Sequence, residues 1–183
     1  MSEGLEKAKD YLGNKDLLKL PKTAFLASNT ISSETVLHCY DWATEMCRQG
    51  HCVVSGFSSK LEKDVLHFLL KGKSPIIVVL ARRMYVKLPE EWRDRINDGR
   101  MLVVATSPAV RQSRQTAAIR NHYIADISEK IYLACVSERS SLHRFIQEYP
   151  GKCVEIGFDM KEEWDNIGKY VFSWCCCFKS PPR

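Results

Sequence analysis

No apolar run in this 183-residue chain approaches the roughly 20 residues that a bilayer-spanning helix needs. The opening stretch, MSEGLEKAKDYLG, is charged and helix-like and lacks the apolar centre of a secretory signal. These absences point to a cytoplasmic protein with no membrane partner. A C-x-x-C pair is also missing, although there are eight cysteines. Cys39, Cys47, Cys52, Cys135 and Cys153 lie singly in apolar stretches and read as reduced thiols. Cys175, Cys176 and Cys177 are consecutive and cannot all turn toward one metal, which argues against zinc. Acylation of that tail stays open as an alternative. The P-loop, G-x-G-x-x-G, G-x-S-x-G and H-E-x-x-H patterns do not occur. Internal repeats and low-complexity segments are absent too.

What is present suits one soluble domain. The apolar fraction of 45% and charged fraction of 27% are ordinary. The net charge of +5 is compatible with an anionic partner without specifying one. Apolar, β-rich runs alternate with segments of helical period. Strands are expected at 23–27, 51–55, 74–80, 101–105 and 130–136, with a sixth at 152–156. Helices are expected at 33–49, 61–70, 89–96, 117–128, 140–148 and 161–172. Gly50 suits the end of the first of these. The core sides should carry Val36, Leu37, Tyr40, Ala43 and Met46, then Leu61, Val65, Phe68 and Leu69. Strands that are apolar throughout are buried on both faces, so the expected fold class is α/β. The architecture is three-layered and Rossmann-like, a mainly parallel sheet with helices on both faces. The expected organisation is a helical N-terminal extension over 1–20, a core domain over 21–158, and a C-terminal helix and tail over 159–183. Residues 179–183 are expected to be disordered.

In such a sheet, ligands bind at the carboxyl ends of the strands. The residues just after each strand are therefore the candidates. They include Ser28 and Asn29, then Ser55, Gly56 and Ser58, then Arg82 and Arg83, and finally Ser140 and Ser141. Small hydroxyl residues and glycine at strand-to-helix turns let backbone amides approach an anion, and arginines supply forked donors for phosphate oxygens. The helix AAIRNHYIADIS adds a puzzle. Its apolar side, Ala117, Ala118, Ile119, Tyr123, Ile124 and Ile127, is interrupted by the polar group Arg120, Asn121 and His122.

The order of these pieces resembles a known family. VVSGFSSKLEKDVLHFLL is similar to the "VSG-x-A-x-GID…AH…AL" segment of the DNA-processing protein A (DprA/Smf) family. SPIIVVLARRM looks like its "TIAVLG-x-G" strand. RNHYIADISEKIYLACVSERSSL resembles its "RNRIIA-x-LS…VVEA…SGSL" segment, and KTAFLASN stands at its "AIVGSR" strand. The resemblance covers roughly residues 21–145. It implies a Rossmann-like core that binds single-stranded DNA, delivers it to the recombinase RecA and tends to form a homodimer. By position, Ser28 and Asn29 fall on the family's Ser-Arg pair, Ser55 and Gly56 on its Ser-Gly, Arg120 and Asn121 on its Arg-Asn, and Ser140 and Ser141 near its Ser-Gly-Ser-Leu loop. Several glycines of the pattern are replaced here, and Glu62 stands for its aspartate. The resemblance thus implies an altered phosphate pocket with Arg82 and Arg83 as compensating cations.

Each candidate also has a plainer reading. Arg120 contacts phosphate or forms a salt bridge, for instance to Asp126 or Glu129. Asn121 holds a helix, a loop or a ribose. Arg82 and Arg83 face a ligand or form an exposed basic turn. Arg111 and Arg114 are solvated or touch nucleic acid. His67 reads as a core histidine. Trp42, Trp92, Trp164 and Trp174 read as packing residues, with base stacking an alternative for Trp92. General acid–base work needs a positioned carboxylate or histidine at the ligand edge, and only Glu62, Asp64 and Glu138 come near it. The "PGGxGTxxE" signature of the LOG phosphoribohydrolases is not matched; SERSSLHRF stands in its place. The expectation is a non-enzymatic binder of single-stranded DNA with no cofactor and no metal. The alternatives are a nucleotide-sensing domain and a degenerate scaffold.

Overall fold

The computed structural model describes residues 10–28, 33–134, 136 and 140–156. The expected final helix at 161–172, Trp164, Trp174 and the three consecutive cysteines lie outside them, as does Asn29. Among the described residues seven strands form one sheet: β1 (Asp10–Gly13), β2 (Lys22–Ala27), β3 (Cys52–Ser55), β4 (Ile76–Leu80), β5 (Met101–Ala105), β6 (Lys130–Ala134) and β7 (Cys153–Glu155). Their spatial order is β1-β5-β4-β3-β2-β6-β7. Every pairing is parallel except that of β1 with β5. The helices are α1 (Ser33–Gln49), α2 (Lys60–Lys71), α3 (Glu90–Asn97), α4 (Arg114–Ile127) and α5 (Ser141–Glu148).

Alternation along each strand divides the core into two layers. Phe25, Val53, Ile76, Val78, Met101, Val103 and Tyr132 face α1, α2 and α3. Ala24, Leu26, Val54, Ile77, Leu102, Ile131 and Leu133 face α4, α5 and a short 3-10 helix, Lys15–Lys19. This is the expected three-layer α/β arrangement. Trp42 fills the first layer, its ring 5.0 Å from that of Phe25 and 5.3 Å from that of Tyr132. Gly50 follows α1 at φ 70, the left-handed geometry that glycine adopts without strain. Cys39, Cys47, Cys52 and Cys153 form no disulfide. No helix among the described residues is long and apolar enough to cross a membrane.

Four local expectations are corrected. Residues 10–13 are not helical: they pair with β5 as an antiparallel edge strand, and Leu17 of the following 3-10 helix anchors the segment to the core. Leu37 is 65% exposed, because α1 turns Cys39, Trp42, Ala43 and Met46 inward instead. His67 is exposed on α2, since the buried side of that helix runs through Leu61, Val65, Leu66, Leu69 and Leu70. In α4 the buried line is Arg120, Ile124 and Ala125, while Ile119 is 38% exposed. The charged residue, not the isoleucine, faces inward.

Chain order reverses at β2. From there β3, β4 and β5 extend one way and β6 and β7 the other. The crevice between the carboxyl ends of β2 and β6 is the topological switch point, where open α/β sheets take their ligands.

At the opposite, amino end of β3, burial holds the His51 imidazole below its ordinary value of 6.5. Its Nε2 is buried without a hydrogen-bond partner among the described residues. A depressed folded-state value means the unfolded chain binds the proton more readily. Stability present above about pH 6.5 is therefore lost as the pH falls below it. The midpoint of thermal unfolding should drop between pH 7.5 and 5.5, and His51→Gln should flatten that drop.

Candidate functional site

The turn that follows β3 builds the floor of the crevice. Ser55 is fully buried, and its Oγ accepts from the Phe57 amide at 3.3 Å. Phe57 has φ 46, an unfavourable left-handed geometry for a bulky side chain. Its ring is 5% exposed and packs in the layer beneath α1 and α2, which supports the strained turn and leaves the next residue, Ser58, lining the cleft. Ser59 then caps α2 in a reciprocal box with Glu62. The Glu62 carboxylate accepts from the amides of Ala27 at 3.1 Å, Ser58 at 2.7 Å and Ser59 at 3.1 Å. One buried acid thus ties the end of β2 to the start of α2.

Arg120 descends onto this turn from α4 and is only 4% exposed. Asn121 Oδ1 accepts from its Nε at 3.1 Å and from one terminal nitrogen at 2.9 Å. The other terminal nitrogen donates to Ser58 Oγ at 3.0 Å. Ser58 Oγ in turn donates to Glu62 at 3.3 Å. The alternative reading of Arg120, a salt bridge such as one to Asp126 or Glu129, does not form. Among the described residues no carboxylate lies within ion-pair distance of Arg120. Burial lowers the guanidinium pKa below the ordinary arginine range and the more distant Glu62 charge raises it in part, yet arginine stays charged. Asn121, given to a helix, a loop or a ribose on the sequence, bonds within its own helix and orients the arginine. Gly56 lies flat beneath the guanidinium: a Cβ there would overlap its terminal and Nε atoms.

The cleft above has a volume of about 1060 Å³. Ser28, Ser58, Arg120, Asn121, Ser140 and Ser141 all line it. Ser140 caps α5, its Oγ accepting from the Leu142 amide at 3.1 Å, and Ser113 caps α4 with Thr116. The first turns of α4 and α5 border the cleft, so amide dipoles there favour an anion. Ser55 and Gly56 shape the floor from below without lining it. Arg82 and Arg83 do not join: they follow β4, two strands away from β2, and do not line the cleft. The Arg82 guanidinium packs over the Tyr85 ring at 4.8 Å, and Tyr85 meets Trp92 edge-on at 6.0 Å. Trp92 is thus a packing residue here. Arg114 does line the cleft; Arg111 does not.

Sequence reasoning missed the far wall: His122, Arg144, Phe145 and Glu148. The spacing of Ser141, Arg144, Phe145 and Glu148, one stripe of a helix, was the available signal. No group of three or more His, Cys, Asp or Glu among the described residues is placed to hold a metal.

The sequence profile of the DNA recombination-mediator protein A family matches residues 10–143. The chain belongs to the DNA recombination-mediator protein A family. The match takes in β1, the 3-10 helix and most of the crevice lining, and stops short of Arg144, Phe145 and Glu148. The fold is similar to that of DNA processing protein A from Helicobacter pylori, studied for its single-stranded DNA binding mode. The identity is 15% and the TM-score 0.65, over 94% of this chain and 89% of that one. It is also similar to DNA processing protein A from Streptococcus pneumoniae, at 19% identity and TM-score 0.57, over 94% of this chain and 67% of that one. No curated protein matches the chain.

Gly56→Ala should leave the sheet intact yet displace the guanidinium from its bonds with Asn121 and Ser58. The arginine Nε–H resonance in a nuclear magnetic resonance spectrum should shift or broaden, with at most a small fall in the melting midpoint. Glu62→Ala strips the acceptor from three amides at once. It should cost about 2 kcal/mol in denaturant unfolding.

Proposed function

We propose that this member of the DNA recombination-mediator protein A family binds single-stranded DNA through the switch-point cleft and does not cleave it. The observation that carries this reading is Arg120: a buried guanidinium at the cleft floor, held by neutral Asn121 and Ser58 and facing no carboxylate at ion-pair distance among the described residues. A buried cation is costly unless a counter-charge accompanies it. A phosphate in the cleft supplies that counter-charge, and the N-termini of α4 and α5 reinforce it. Arg114 and Arg144 on the rim add long-range attraction for a polyanion. The non-catalytic part of the reading is supported by two of the carboxylates that the sequence placed near this edge, while Glu148 and His122 line the opposite wall. Glu62 is occupied by backbone amides, and Asp64 accepts from the Tyr40 hydroxyl at 3.1 Å away from the cleft. Family membership supports RecA as a further partner, a homodimer as the assembly, and a cytoplasmic location. Arg82 and Arg83 belong to the proposal only as an outlying contact for a longer strand at the same sheet edge.

The test is fluorescence anisotropy with a short labelled single strand across a salt series. The logarithm of the affinity should fall by about 0.7 per log unit of salt for each phosphate neutralised. Arg120→Ala should weaken binding about ten- to a hundredfold while a melting curve shows a folded protein. Equal affinity for a mononucleotide and a longer strand would replace this reading with nucleotide sensing. No binding of either would leave a scaffold.

A further inference from the structure

The far wall of the cleft is built differently from its phosphate floor. His122 stacks on Phe145 with ring centroids 5.2 Å apart and planes 28° apart, and Tyr149 leans on Phe145 at 5.2 Å. The Tyr149 hydroxyl donates to Asp126 at 3.1 Å, so its oxygen is left to accept from His122 Nδ1, also at 3.1 Å. That network assigns the proton to Nδ1 and fixes the ring. The His122 side chain remains 47% exposed and lines the cleft, so the oriented ring is accessible from it. Beside it, α5 presents Arg144 and Glu148 to the same space. They stand four residues apart, yet no ion pair joins them among the described residues. Glu148 is 47% exposed, and its Oε2 lies 3.6 Å from His122 Nδ1, on the ring edge that also meets the Tyr149 hydroxyl.

We infer that this wall is a base seat selective for guanine. The inference rests on the proposed phosphate-binding role of the floor. From Ser141, at the anion end of α5, to Glu148 is about 10 Å along the helix axis, the scale of one nucleotide laid from phosphate to base edge. A base entering there stacks on the His122 ring. The polar groups around it are a carboxylate, which only accepts, and a guanidinium, which only donates. Guanine alone among the four bases offers two adjacent N–H donors on its pairing edge, for Glu148, together with the O6 and N7 acceptors that suit Arg144. Adenine, cytosine and thymine each place an acceptor against the carboxylate.

The experiment compares an oligothymidylate carrying one central guanine with the same strand carrying adenine or thymine there, on the full chain at one salt concentration. The guanine strand should bind about tenfold more tightly. Glu148→Gln should bring it down to the level of the thymine strand, with the melting midpoint unchanged. Equal affinity for the three strands, with binding still salt-dependent, overturns the guanine seat and leaves the phosphate reading standing. A guanine preference that survives Glu148→Gln removes Glu148 from base recognition and overturns the inference. No binding of any strand overturns this inference and the proposed function together.

Discussion

The placement of a full positive charge inside the protein, flat against a glycine, is the constraint from which the site follows. Arg120 occupies a core-facing position of α4 that an aliphatic side chain would fill at no electrostatic cost. Its retention there requires Gly56 below, Asn121 alongside and Ser58 in front. Those requirements reach further. Gly56 belongs to a turn whose next residue, Phe57, is held at positive φ only because its ring is packed in the opposite core layer. Ser58 belongs to the capping box of α2, and that box is closed by Glu62, which also holds the end of β2. A polar site thus draws on the apolar packing of both faces of the sheet.

The arrangement separates two tasks by the kind of group each uses. Neutral oxygens, from Asn121 and Ser58, orient the arginine without cancelling its charge. The carboxylate that could cancel it, Glu62, is kept at one hydroxyl's remove and engaged by amides. A direct Glu62–Arg120 pair would have been a self-contained structural element. The hydroxyl between them leaves the positive field directed at the cleft. The wall built by His122 of α4 with Arg144, Phe145 and Glu148 of α5 adds aromatic and charged groups to the same cleft.

Most of the fold was legible because parallel strands buried on both faces are apolar throughout, a pattern that helices do not imitate at that length. The helices at 33–49 and 140–148 were legible from period and flanking residues. The edge strand at 10–13 was not, because its short, half-polar sequence has no pattern of its own, and pairing with β5 decides it. His67 and Leu37 were misplaced for a related reason. A helical period leaves the exact rotation of a helix open by a residue, and only the neighbours it packs against settle that.

What the sequence alone determined was the class of sheet and, within a longer list of candidates, Arg120, Asn121, Ser58 and the two serines at the start of α5, which the cleft lining brings together. These follow from local chemistry: apolar runs, turn residues and helix caps act over a few positions. Only the tertiary structure decided which cations share the site. Arg82 and Arg83 follow one strand and Arg120 lies on a later helix, so nothing in their spacing tells that strand order carries the pair two strands away from the crevice. The same order brings α5 to face α4, gathering His122, Arg144 and Glu148 with residues more than sixty positions earlier in the chain. Convergence of that kind is a property of sheet topology, and no segment of sequence contains it.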